Sequence, residues 1–235
     1  MVADNKTQSA RYTKNIEYLK STQFFAGLDD CALERISRLM VERKVAKKEI
    51  IWLEQEQAKM VYFVASGLIK LFKTSTGGKE QILRLVYPGD CFGHTGILNG
   101  GNTPESAQAM APSVLYGLIH SDLEVLLWEY KQFAINTIKA LATEMHHYMS
   151  LIEDLSLRYV SNRLARMLLE YNNQGVYDTS LALISRSDMA AMAGTVREVI
   201  AKSLRTLEEK GVIEYNRHNI IIRDSEALQI MAGSV

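Results

Sequence analysis

The stretch from Ser185 to Leu204 constrains this chain more than any other. It reads Ser185-Arg186-Ser187-Asp188-Met189-Ala190-Ala191-Met192-Ala193-Gly194-Thr195-Val196-Arg197-Glu198-Val199-Ile200-Ala201-Lys202-Ser203-Leu204. Ser185 or Ser187 suits a helix N-cap, and Met189 and Met192 fall on an inward face. Ala190 and Ala193 are small enough to let a second helix approach closely. Gly194 permits the sharp turn between the two. The second helix is expected to hide Val196, Val199, Ile200 and Leu204. It then presents Arg197, Glu198, Ala201, Lys202 and Arg205 outward. Val212-Ile213-Glu214-Tyr215, a turn at Asn216-Arg217-His218-Asn219, and Ile220-Ile221-Ile222 follow as a short hairpin. This order predicts a helix-turn-helix with a β-wing.

The outward residues suit base reading. An Arg fork matches guanine O6 and N7, a Glu accepts from cytosine N4, and Lys202 reaches a further base edge or a phosphate. Residues 185–223 carry seven basic against five acidic side chains, and the whole chain carries 27 of each sign. Any positive field toward DNA must therefore be local. The competing reading is a solvated face with an i,i+4 Glu198–Lys202 pair. The glycine turn and the wing favour DNA.

Upstream the pattern changes twice. Residues 16–44 read as mostly helical, with Asp29-Asp30 as a cap and Leu33, Ile36, Leu39 and Met40 at helical spacing. From about Val45 to His120, short apolar runs alternate with turn signals. The runs are Ile50–Leu53, Val61–Val64, Leu68–Phe72, Gln81–Val86 and Val114–Ile119. The turns are Ser66-Gly67, Thr76-Gly77-Gly78, Pro88-Gly89-Asp90 and Asn99-Gly100-Gly101-Asn102. This predicts an antiparallel barrel or sandwich. From Leu123 helical character returns. Ile138, Leu141, Met145, Tyr148, Ile152 and Leu155 alternate in steps of three and four, which is a seam for a second copy or for the helix's own domain. Asn172-Asn173-Gln174-Gly175 reads as a helix stop before the final segment.

Composition narrows the function classes. No apolar run reaches the length of a membrane span, and the polar first fifteen residues lack a signal-peptide core, so a cytoplasmic location is expected. Two cysteines, Cys31 and Cys91, are too few for a disulfide framework or a four-thiolate iron–sulfur cluster. No GxxxxGK[ST], GxSxG or HExxH motif occurs, and the carboxylate pairs lie in caps or on exposed helix faces. An enzyme is not expected.

On Ser66-Gly67, Gly77-Gly78, Gly89-Asp90-Cys91-Phe92-Gly93, the heptad helix, Arg163, Arg186 and Arg197-Glu198, the chain resembles the Crp/Fnr family of transcription regulators over nearly its whole length. The resemblance implies an α+β fold. Residues 1–122 would form N-terminal helices and a jelly-roll-like antiparallel β-barrel resembling a cyclic-nucleotide-binding domain. Residues 123–158 would hold a long dimerisation helix, and 159–235 a winged helix-turn-helix. It implies a homodimer on double-stranded DNA, with RNA polymerase as a further partner. It gives Ser185, Arg186, Thr195, Arg197, Glu198, Lys202, Arg217 and His218 as DNA-binding residues, with Ser185 and Arg186 at phosphates. The dimer interface would be Ile138, Leu141, Met145, Tyr148, Ile152 and Leu155.

The barrel departs from the family's cyclic-AMP pattern. Gly-Glu-Leu becomes Gly93-His94-Thr95, and Arg-Ser-Ala becomes Glu105-Ser106-Ala107. A carboxylate in place of the arginine repels a phosphate by about 4 kcal/mol at 4 Å and an effective dielectric of 20. Tyr148 and Met149 replace small hydroxyl residues, and Lys48 and Gln55 replace glycines at strand ends. No cyclic-nucleotide binding is expected. The effector site would comprise Phe92, His94, Thr95, Glu105, Ser106, Tyr148 and Met149. Its ligand is open between another small molecule and haem, for which Cys91, His94 and His146-His147 are the candidate residues. A sensor acting through protein partners is the alternative from a different class.

Overall fold

A computed structural model describes residues 16–173, 184–216 and 219–233. The chain divides into two compact units: one runs to Leu71 and resumes over Arg84–His146, and the other joins Phe72–Leu83 to the chain from His147 onward.

The first unit opens with α1 (residues 16–21), a 3-10 turn at Gln23–Phe25, and α2 (Asp30–Leu39). Asp29 caps α2, its carboxylate accepting from the Ala32 N–H at 2.8 Å. The strands are β1 (Val41–Val45), β2 (Ile50–Trp52), β3 (Met60–Ser66), β4 (Ile69–Thr74), β5 (Glu80–Val86), β6 (Cys91–Phe92), β7 (Ser106–Ala109) and β8 (Ser113–Ile119), with the short helix α3 (His94–Leu98) after β6. They form two four-stranded sheets, ordered β1-β8-β3-β6 and β2-β7-β4-β5, in the antiparallel jelly-roll manner.

One core lies between the sheets, around Trp52, Tyr62, Phe92, Ile69 and Leu71. A second gathers Phe24, Phe25, Phe63 and Phe133 under the helices. Asn136 seals that second core by donating to the carbonyls of Phe24 and Ala26, groups that burial would otherwise leave unpaired. Helices α4 (His120–Glu129) and α5 (Lys131–Leu157) complete this part of the chain.

The helical reading of 16–44 fails after Leu39, because Val41–Val45 pairs with β8 in register from Val41↔Gly117 to Val45↔Ser113. Tertiary pairing overrides the helical spacing there. The strands at Cys91–Phe92 and Ser106–Ala109 are too short and too mixed to be seen as apolar runs. Lys48 and Gln55 keep the glycine-like turns, with φ of 71° and 70°.

In the second unit α5 ends at Leu157, and α6 (Val160–Asn173), α7 (Arg186–Met192), α8 (Arg197–Glu209), β9 (Ile213–Asn216), β10 (Asn219–Ile222) and α9 (Ser225–Ala232) follow. Leu164, Leu168, Met189, Ile200, Leu204, Leu207, Ile213 and Leu228 are buried here. At the α5–α6 joint, the Arg163 guanidinium donates to the carbonyls of Asp154 and Leu155 in the last turn of α5. Asp154 also pairs with Arg158 and Arg166. The reading of Gly175 as a helix stop lies outside the described residues.

Candidate nucleic-acid interface

The presentation of α8 begins with α7. Ser185 is the N-cap of a full capping box: its hydroxyl accepts from the Asp188 N–H, and the Asp188 carboxylate accepts from the Ser185 N–H at 3.0 Å. Gly194 follows α7 at φ +64°. The positive φ favours glycine, and a Cβ at this position would lie 2.6 Å from Leu155 Cδ2, so the leucine methyl would have to move aside. Val196 is the N-cap of α8, which anchors through Ile200, Leu204 and Leu207.

Arg197, Glu198, Lys202 and Arg205 are exposed, and Thr195 is half-buried at the turn. Val196 and Val199 do not lie inside as expected: they are 52% and 38% exposed. The anchoring stripe runs along residues 200, 204 and 207. Positions 196 and 199 sit ahead of it, on the same open end as Arg197 and Glu198. The wing is present as β9 paired with β10, Ile213↔Ile222 through Asn216↔Asn219. Arg217 and His218, expected at DNA, lie outside the described residues.

The dimer-seam residues divide by heptad position. Ile138, Met145 and Ile152 are exposed, while Leu141, Tyr148 and Leu155 are half-buried. The Leu155 side chain packs at the Gly194 turn of its own chain.

The sensor-side residues fall into different environments. Phe92 is fully buried and packs against Trp52 and Tyr62 at ring-centroid distances of 5.0 and 5.7 Å. It is a core residue that supports the neighbouring wall. Thr95 is exposed. Glu105 and Ser106 are buried, and Ser106 Oγ accepts from the Glu54 N–H at 2.9 Å. Tyr148 and Met149 belong to the second unit, half-buried and exposed respectively.

His94 is the centre of a buried polar set. Its Nε2 lies 2.7 Å from a Glu144 carboxylate oxygen, and its Nδ1 lies 3.5 Å from Cys91 Sγ. Arg84 of β5 donates to the Cys91 carbonyl at 2.6 Å and lies 3.9 Å from the same Glu144 oxygen. Burial alone would pull the His94 pKa down, but the contacts with Cys91 and Glu144 outweigh it and lift it to about 10. With the pKa raised this far the imidazolium is favoured at neutral pH, its Nε2 in an ion pair with Glu144 and its Nδ1 beside the Cys91 sulfur. Asp90, close by, has its carboxyl raised, chiefly by burial.

Arg84 and Glu144 escaped the sequence reading. An Arg inside the Ile82–Val86 run was a usable signal for the first. Glu144, one residue before a seam methionine, carries none. Of the haem candidates, His94 is engaged by Glu144 and Cys91, Cys91 is buried, and His146 and His147 are exposed. No group of three or more His, Cys, Asp or Glu side chains among the described residues is placed to hold a metal.

A jelly-roll barrel, a long helix and a winged helix-turn-helix with an open cationic helix face define a DNA-binding transcription regulator. Residues 42–130 match the cyclic nucleotide-binding domain and residues 162–231 the Crp-like helix-turn-helix domain. The chain belongs to the Crp/Fnr family. It is 29% identical over 214 residues to the cyclic AMP receptor protein of Thermus thermophilus, covering 91% of this chain and 98% of that one. Transcriptional regulator LdrP of the same organism is 29% identical over 194 residues, 82% of this chain and 97% of its own. The solved structure of FixK2 from Bradyrhizobium japonicum superimposes with a TM-score of 0.74 at 26% identity, covering 82% of this chain and 96% of that one. These relatives are regulators, not enzymes. No helix among the described residues is long and apolar enough to cross a membrane.

Proposed function

We propose that this chain acts as a homodimeric, effector-responsive transcription regulator that reads a near-palindromic site and does not respond to cyclic AMP. The observation that carries the DNA part is the exposed trio Arg197, Glu198 and Lys202 on a helix held by the Gly194 turn. Two such helices about 34 Å apart meet consecutive major grooves. The exposed Ile138, Met145 and Ile152 supply an apolar stripe suited to a second copy. RNA polymerase is the further partner, and the cytoplasm the compartment, that family membership brings to the proposal. Residues 1–122, 123–158 and 159–235 serve as sensing, pairing and reading segments. Ser185 and Arg186, the N-cap and first residue of α7, serve phosphate contact.

The relative named for cyclic AMP does not decide the ligand here. The family's ribose-holding Glu is His94, whose charge Glu144 already neutralises, and the phosphate-holding Arg is the buried Glu105. Another small molecule, bound by the remaining effector-site residues, then shifts the population toward the DNA-competent arrangement. It must bind that arrangement more tightly to do so.

An unbiased oligonucleotide selection tests the reading. An enriched near-palindrome whose binding weakens steeply with salt is the expected result. No enrichment and a flat salt response would favour a sensor that works through protein partners. Fluorescence titration with cyclic AMP should show no saturation in the micromolar range, and saturation there would overturn that part.

A further inference from the structure

The turn between α7 and α8 is held from outside the helix pair. The β4–β5 hairpin is tightly built: Ser75 N–H donates to the Lys79 carbonyl, Gly78 N–H to the Ser75 carbonyl, and Gly78 sits at φ +78°. From it, Gln81 Nε2 donates to the Met192 carbonyl at 3.2 Å, and Lys79 Nζ donates to the Gly194 carbonyl at 3.4 Å. At the base of the hairpin, His147 of α5 donates from Nε2 to the Leu83 carbonyl at 2.8 Å. Residues 72–83, although continuous with barrel strands, thus form one compact unit with the helix-turn-helix.

The physical need for these contacts is plain. The last carbonyls of a helix lack intrahelical partners, and the C-terminal end favours a cation. The chain itself serves two of them, with Ala193 N–H on Met189 O and Thr195 N–H on Ala190 O. The carbonyls of Met192 and Gly194 are served by the hairpin. Gln81 Oε1 would also lie 3.3 Å from a Cβ at Gly194, so the hairpin closes on the turn from the side, with Leu155 near the same position. Arg197, Glu198 and Lys202 remain exposed in this arrangement. The hairpin grips the turn and leaves the reading face open.

We propose that Lys79 and Gln81 are positioning residues for DNA reading: they cap the end of α7 and so fix the angle at which α8 is presented. The proposal rests on the reading that α8 enters a duplex. Its closest test is Gln81→Glu in the full-length protein, which keeps shape and removes the donor. Affinity for the selected duplex should fall about fivefold, the size of one net hydrogen bond. Affinity for a scrambled duplex should stay at the wild-type value, and the melting temperature should fall by no more than the few degrees that one lost hydrogen bond costs. Lys79→Arg should retain wild-type affinity, and Lys79→Ala should lose part of it.

Equal affinity of Gln81→Glu and wild type for the selected duplex would overturn the proposal, and so would a rise, which would make the hairpin a restraint on reading. Amide hydrogen exchange, which needs no DNA, separates this idea from the reading beneath it. Residues 192–196 should exchange faster in Gln81→Glu than in wild type, and unchanged exchange there also overturns the proposal, whatever the wild type does with DNA.

Discussion

Two sets of charged side chains in this molecule use the same chemistry in opposite settings. Arg84, His94 and Glu144 are sealed against each other between β5, α3 and α5. Arg197, Glu198 and Lys202 stand in solvent on α8. A buried charge must be answered at once by a neighbour, because the interior cannot solvate it. An exposed charge on a rigidly held helix is answered by water until something better arrives. The first set is therefore committed to the fold, and the second is available to a partner. A family label alone would assign both regions to ligand binding; their burial gives them different work.

The largest effect should come from breaking the buried set on one side only. Glu144→Ala leaves the His94 imidazolium unpaired beside Arg84, and should cost about 3–5 kcal/mol of unfolding free energy in a urea titration. A cost below about 1 kcal/mol, the size of a surface pair, would dissolve the contrast between the two regions. Replacing His94 and Glu144 together by Leu should regain part of the loss, since the buried imidazolium is then gone and the remaining charge of the set, Arg84, still donates to the Cys91 carbonyl.

The same set gives a pH signature. The His94 pKa is raised in the folded chain, from 6.5 to about 10. Its contribution to stability is fully present below the unfolded value and is lost as pH rises through about 10. Unfolding measured from pH 6 to pH 10.5 should show a decline of a few kcal/mol in wild type, and His94→Gln should flatten that decline. Parallel curves for the two proteins would remove His94 from the account.

The exposed set should respond in binding and hardly at all in stability. Arg197→Ala should cost about 1–3 kcal/mol on the selected duplex and relax specificity at one base pair, while Arg186→Ala should weaken all duplexes alike. Anisotropy titrations on matched and scrambled duplexes check both. Equal losses on the two duplexes for Arg197→Ala would reduce it to a phosphate contact.

What was legible in the sequence follows the same division. The α7–α8 pair could be read because local rules dictate it: a capping serine, small residues at the crossing, and a glycine where φ is positive. The barrel strands were visible wherever an apolar run was long enough. Val41–Val45 was not, because Glu42, Arg43 and Lys44 interrupt it and only pairing with β8 makes it a strand. Val196 and Val199 were misplaced because an apolar residue near a helix end need not lie on its buried stripe. The His94–Glu144 pair joins positions 50 residues apart in the chain, and no local pattern encodes such a meeting.

The smallest expected effect sharpens the contrast from the side of the backbone. Lys48 is exposed like Lys202, yet it sits at φ +71°, where an L side chain crowds its own carbonyl. Gln55, at φ +70°, is in the same position. Both turns are fixed by their neighbours: Lys48 N–H donates to the Ala109 carbonyl at 2.7 Å, and Gln55 N–H to the Thr103 carbonyl at 2.9 Å. Relief of the left-handed penalty should exceed the extra unfolded-state entropy that glycine brings, so Lys48→Gly and Gln55→Gly should each raise stability by about 0.5–1 kcal/mol. The two turns are anchored to different carbonyls, of Ala109 and of Thr103, and their effects should add. Thermal unfolding of both single variants and the double checks the sign, and a loss in either would mean that the side chain contributes more than its backbone conformation costs. Affinity for the selected duplex should not change, because a lysine's charge reads DNA only where the fold presents it to a groove.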